Sequence, residues 1–178
     1  MKKRTPRRQL VLRILSHNAN KGFLELGPHK LTCAIGRRGL RASKREGDGV
    51  TPMGVFRLEH VFYRADRVGR PRAGLKVTQL RRSDGWCDAP GDRNYNRHVL
   101  HPYPASAERM WRSDNLYDVV VVLSHNRRPR VQGAGSAIFM HVARDGFRPT
   151  EGCVALKKSE LLVLLSKAVS GTTIGLGR

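Results

Sequence analysis

Acidic residues are scarce in this chain. Asp and Glu number 14 against 34 Lys and Arg, so the 178 residues carry a formal net charge of +20. Such a field favours polyanions: nucleic acid, anionic lipid head groups or an acidic polymer. It equally describes a solvated basic surface with no single partner, and charge alone does not choose. No helix-turn-helix, zinc-finger or RNA-binding aromatic pair is present, which argues against nucleic acid. Cysteines are also few. The odd count of three excludes a fully paired internal disulfide set, and the spacings of Cys33, Cys87 and Cys153 fit no zinc motif. Long apolar runs are missing: none approaches the ~18 residues of a membrane-spanning helix. After the basic start, Met1 to Arg8, the apolar stretch Leu10 to Leu15 is interrupted by Arg13. It is too short for a secretory signal, and no small-residue cleavage site follows. Internal repeats and low-complexity segments are absent.

What remains fits one soluble globular unit. The length suffices to bury a core. A basic tail over residues 1–8 and a single domain over residues 9–178 are expected.

The chemistry concentrates in Ser136 to Leu156, SAIFMHVARDGFRPTEGCVAL. A short apolar run ends at His141. A polar loop with Arg144, Asp145, Gly146 and Arg148 follows, then Thr150-Glu151-Gly152-Cys153 and a second apolar run. A strand ending on His and a loop returning with Gly-Cys bring imidazole and thiol face to face, which is how a thiol nucleophile is activated. Gly152 lets backbone N–H groups approach a substrate carbonyl as an oxyanion hole.

His141 followed by Thr150-x-Gly152-Cys153-Val154 resembles the signature of the L,D-transpeptidase (YkuD-like) catalytic domain family, bacterial enzymes that cross-link peptidoglycan with a cysteine nucleophile. Upstream, Gly47 to Phe56 (GDGVTPMGVF) resembles the family's GxxTPxGxF element. The likeness runs from about Arg8 to Val169. It implies a mainly β, β-sandwich-like fold with one or two helices and a catalytic loop over one edge. It implies two-step acyl transfer by Cys153, with His141 as base and then acid and Gly152 beside the oxyanion, on the stem peptides of peptidoglycan. Thr150 stands at the family's usual serine position, as a loop or substrate hydrogen-bonding group. No metal or organic cofactor is implied. A monomer located in the periplasm or cell envelope is expected, with electrostatic attraction to anionic wall polymers. Two departures stand out: Glu151 replaces the usual His, and Ala155 replaces the usual Arg. A carboxylate beside the nucleophile disfavours the thiolate unless it points away. Arg97, Arg144 and Arg148 are candidates to replace the lost substrate-carboxylate anchor. Hydrolysis in place of cross-linking, as an L,D-carboxypeptidase or endopeptidase, and a non-enzymatic basic binding module are the alternative readings.

Elsewhere the pattern predicts strands over Gln9–Leu15, Phe23–Leu26, Lys30–Ile35, Gly54–Leu58, Leu75–Leu80, Tyr117–Leu123 and Ile138–His141, and a last one near Thr172–Ile174. Gly27-Pro28 marks a hairpin. Gly36 to Gly49 reads as a loop whose Arg37, Arg38, Arg41, Lys44 and Arg45 face solvent. Ala105–Trp111 reads as a short helix, and Ser159–Val169 as a longer one capped by Ser159. Glu59 to Arg112 is the least regular part, and its Trp86 and Tyr95 are candidate substrate contacts or, alternatively, cover for the core edge. Two neighbouring strands each end on a His, which places His125 and His141 at one edge. His125 and Asn126 are therefore further substrate-binding candidates, with a backbone-paired loop His as the plainer reading. Cys33 reads as a core residue.

Overall fold

The computed structural model of the chain describes residues 9–14 and 20–177. The basic tail over residues 1–8 lies outside the described residues, as do the end of the first expected strand at Leu15 and positions 18 and 19 of the turn after it. Alternating aliphatic residues give strands β1 (Gln9–Ile14), β2 (Lys21–Leu26) and β3 (His29–Ala34), an antiparallel meander. Gly27 turns the β2–β3 hairpin at a φ of +60°, a conformation with no steric cost for glycine. The basic loop that follows holds a two-residue strand, β4 (Leu40–Arg41), paired with β5 (Thr51–Pro52). Next come the long β6 (Gly54–Tyr63), β7 (Lys76–Gln79), β8 (Asp84–Cys87), β9 (Arg97–Leu100) and β10 (Ala107–Arg109). Then β11 (Val119–Leu123), β12 (Phe139–Val142), β13 (Val154–Leu156), the helix α1 (Lys158–Lys167) and β14 (Thr173–Leu176) complete the order.

The large sheet runs β11-β12-β13-β3-β2-β1-β14-β6-β7, and β6 also pairs with β11, so the sheet closes on itself. Strand parity then sorts side chains to two faces. Inside the ring lie Leu24, Cys33, Val61, Val119, Val121, Met140, Val154, Leu156 and Ile174, packed with Leu161, Leu164 and Leu165 of α1. On the outside, Phe62, Val120, Val122 and Phe139 pack with Trp86, Met110 and Tyr117. Trp86 belongs to β8, the middle of a second, three-stranded sheet ordered β10-β8-β9. One sheet layer therefore sits on the outer wall of another, and the mainly β, sandwich-like expectation holds. Val119–Leu123 is buried on both faces for this reason.

Three local readings are corrected. Ala105–Trp111 is not a helix: β10 pairs with β8 in the register Glu108 opposite Trp86, and cross-strand packing overrides a weak local preference. Ser159 does not cap α1, since the helix begins at Lys158 and Lys157 stands at the N-cap. His125 and His141 do not share an edge. Strands β11 and β12 are antiparallel with Val120 opposite His141 and Val122 opposite Phe139, so the end of β11 meets the beginning of β12.

Candidate active site

Strands β12 and β13 run parallel, with Met140 opposite Val154 and His141 opposite Ala155. Met140 and Val154 face the interior. Their neighbours Phe139, His141, Cys153 and Ala155 therefore face outward, into the layer beneath the three-stranded sheet. Parallel pairing puts thiol and imidazole on one face, two residues apart along adjacent strands.

The thiol has two backbone partners. Cys153 Sγ donates to the Ala137 carbonyl at 3.2 Å, and the Phe139 N–H points at the sulfur at 3.4 Å. Ala137 holds its carbonyl there at a φ of +51°. Burial pushes the Cys153 thiol up to about 12. His141 is 4% exposed, and burial brings it down to about 4, with Arg112 and Arg144 acting in the same direction. Its Nδ1 lies 2.8 Å from the Val142 carbonyl, so Nδ1 carries the hydrogen and Nε2 keeps the lone pair. The resting site is a neutral thiol beside a neutral imidazole. The ring of Tyr117 stands edge-on to His141 at 5.5 Å.

The turn before the nucleophile is tied from several sides. Thr150 Oγ1 donates to the Cys153 carbonyl at 2.6 Å and accepts from the Gly152 N–H at 3.1 Å. The Gly152 N–H is thus committed within the turn. Thr150 also joins the Ile35–Arg37 strip through two backbone bonds of 2.9 Å. Gly152 has a φ of +141°, and a Cβ there would stand 2.8 Å from the Val50 carbonyl oxygen. Only glycine fits. Glu151 points away from the sulfur to Arg37, at 2.9 Å.

A cavity of about 50 Å³ opens beside the imidazole, lined by Leu116, His141, Arg144, Arg148, Pro149, Thr150 and Ala155. The small Ala155 and the two arginines share this wall, whereas Arg97 is exposed on β9. The other candidates are engaged in internal hydrogen bonds. Trp86 is 2% exposed, and its indole N–H donates to Asn96 Oδ1 at 2.9 Å. Tyr95 is fully buried, with its hydroxyl on the Glu46 carboxylate. Asn126 closes its own loop through Val131 and Gly135, and His125 Nε2 pairs with the Ala134 carbonyl at 3.0 Å. Of the candidate substrate residues, Thr150, Arg144 and Arg148 line the cavity beside His141 and the other four do not.

Four residues were not legible as site residues. Thr51 bonds the Gly152 carbonyl, and only its place in the Thr-Pro element signalled it. Asn96 accepts from the Trp86 indole and the Ala137 N–H and donates to the His125 and Asn126 carbonyls, joining that loop to the second sheet. Lys44 was expected in solvent. Its side chain is instead 4% exposed, paired with Asp48 and packed beside Gly135 and Gly152, where its charge favours the thiolate. Glu108 accepts from the Tyr117 hydroxyl at 2.6 Å.

The family model of the L,D-transpeptidase catalytic domain, YkuD, matches residues 18–175. This chain belongs to the YkuD family. No curated protein and no solved structure gives a match. As in the YkuD domain generally, the fold is mainly β and the family activity is L,D-transpeptidation. Among the described residues no cluster of His, Cys, Asp and Glu is arranged to hold a metal.

Proposed function

We propose that this YkuD domain is a peptidoglycan L,D-transpeptidase with Cys153 as nucleophile and His141 as base and acid. The supporting observation is the pairing itself: a thiol clasped by two backbone groups, on the same outward face as an imidazole whose one uncommitted nitrogen is Nε2. Because both groups rest neutral, proton transfer accompanies attack. Sγ forms a bond to the carbonyl carbon of a donor stem residue as its proton moves to His141 Nε2. The Cys153 N–H stabilises the oxyanion in this reading, since that of Gly152 is occupied by Thr150. Collapse breaks the C–N bond, and His141 returns its proton to the departing amine. Arg144 and Arg148 anchor the carboxylate of the departing residue, in place of the arginine that Ala155 lacks. An acceptor amine then attacks the thioester, and the thiolate regains a proton through His141. Family members act at the cell envelope. No helix among the described residues is long and apolar enough to cross a membrane.

Wild type and Cys153→Ala are incubated with purified muropeptides, and products and protein are analysed by mass spectrometry. Cross-linked dimers and an acyl adduct with wild type alone are expected. Shortened monomers without dimers would instead establish hydrolysis. Salt-sensitive polyanion binding that survives the substitution, with no adduct on wild type, would establish a binding module.

A further inference from the structure

Cysteine acyl transfer to an amine contains a step that Cys153 and His141 do not cover. At neutral pH an alkylamine arrives as an ammonium ion, which has no lone pair with which to attack a thioester. His141 is engaged at Nδ1, and its Nε2 must accept a proton during the attack itself. A second group that binds the cation and takes its first proton removes this barrier. Arg112, Arg144 and Lys44 are cations, and Asp114, which also acts on His141, is held by Arg112, so a further carboxylate suits the task.

Three geometric links bring Glu108 to this position. It pairs across strands with Trp86, whose ring stands at 90° to Phe139 with centroids 5.0 Å apart, and the Phe139 N–H points at the Cys153 sulfur. Directly opposite residues of an antiparallel pair place their side chains on one face. Second, Met110, two residues on, is buried in the outer core cluster against which Cys153 packs, so β10 turns this face toward the nucleophile. Third, the Glu108 carboxylate accepts from the hydroxyl of Tyr117, and the Tyr117 ring touches both His141 and Phe139. The Glu108 side chain is 30% exposed, and Arg112 Nη1 stays 3.9 Å from its carboxylate while Arg112 binds Asp114 at 2.7 Å through Nη2. Resting on the acyl-transfer reading, the geometry points to Glu108 as the seat of a cationic acceptor amine, and as the base that takes its first proton.

Burial raises the carboxyl above its ordinary range, which strengthens it as a base. Its charge acts on the Cys153 thiol in the direction expected for a negative group nearby. The proton balance is complete. R–NH₃⁺ gives one proton to Glu108, the resulting amine attacks the thioester, and its second proton goes to His141 Nε2. The C–S bond breaks, His141 protonates the thiolate, and Glu108 releases its proton to water. A neutral nucleophile bypasses the first step.

The test separates acylation from transfer. Wild type and Glu108→Gln are acylated with a muropeptide donor, and the Cys153 adduct is followed by mass spectrometry. Each is then offered an alkylamine or methoxyamine, which is already neutral at pH 7. The variant is expected to acylate, to lose alkylamine transfer by about 100-fold, and to keep methoxyamine transfer within about threefold. Equal loss with both acceptors, or no loss with either, overturns the assignment. Should Glu108→Gln fail to fold, as read by circular dichroism, Glu108→Asp replaces it. That variant withdraws the charge by one methylene, and the same selective loss is required of it. Absence of an adduct on wild type would instead sink the acyl-transfer reading itself.

Discussion

The Thr51 hydroxyl donates to the Gly152 carbonyl at 2.8 Å across 101 residues of chain, and accepts from the Gly36 N–H at 2.8 Å. One buried side chain thus fixes the residue before the nucleophile to two separate loops. Thr51→Val keeps the shape and strands a buried carbonyl and a buried N–H. It is expected to cost about 1–3 kcal/mol and to slow formation of the Cys153 adduct. Urea unfolding and time-resolved mass spectrometry check this. An unchanged midpoint with an unchanged rate would remove Thr51 from the site.

The neutral thiol–imidazole pair has a pH signature. With the Cys153 thiol pushed up to about 12, alkylation by iodoacetamide should be slow at pH 7 and climb about tenfold per pH unit through the alkaline range. A fast reaction with a midpoint below pH 7 would reveal a resting ion pair and contradict it.

His141 carries a stability signature as well. Its folded value, about 4, lies below its ordinary 6.5. Between those values the unfolded chain binds the proton first, so stability is full above pH 6.5 and declines toward pH 4. His60 is lowered to about 4 too, chiefly by burial, and contributes in the same window. Thermal unfolding of His141→Gln should therefore show a shallower decline than wild type. An identical slope would refute the buried neutral imidazole.

Glu151 illustrates a local pattern with a harmless outcome. Its side chain is 76% exposed and bound to Arg37, which is itself half-exposed. Such surface pairs are worth about 0.2–1 kcal/mol. Glu151→Ala should leave melting and adduct formation nearly unchanged. A marked acceleration would show that the carboxylate does oppose the thiolate.

Features held in short sequence were readable; features assembled across the chain were not. The β-branched run of β11 and the Gly27 hairpin could be read because each records its own environment. Thr150, Gly152 and Cys153 lie within four positions, so their chemistry shows in the motif. Ala105–Trp111 has no strong pattern, and its strand identity comes from β8, about twenty residues earlier. Trp86, Tyr95 and Asn126 look like ligand-binding types, yet internal hydrogen bonds, tertiary for Tyr95 and within its own loop for Asn126, occupy their polar side-chain atoms. Lys44 and Glu108 are ordinary charged residues in sequence, and only the fold turns them toward Cys153.

Lys44 shows what such placement does. Removing one member of a buried pair leaves the other uncompensated, at a cost of about 3–5 kcal/mol where burial is complete. Asp48 is 16% exposed, so the lower end is expected for Lys44→Met. The substitution should also lower the adduct rate, since a cation near the sulfur is lost. Full activity after it would assign Lys44 to scaffolding alone.

Closure of the large sheet bears on biosynthesis. Strand β1 needs β14 as a parallel neighbour, and the first half of β6 pairs with β14 as well. On a ribosome β1 and β6 emerge long before β14, and until it arrives both present open edges to other chains. Closure of the sheet consequently waits for β14 and is governed by distant pairings, the slow class of folding problem. A truncation ending before Thr173 is expected to sediment as aggregate and to yield no adduct. Soluble, adduct-forming protein from that truncation would show that the final strand is dispensable.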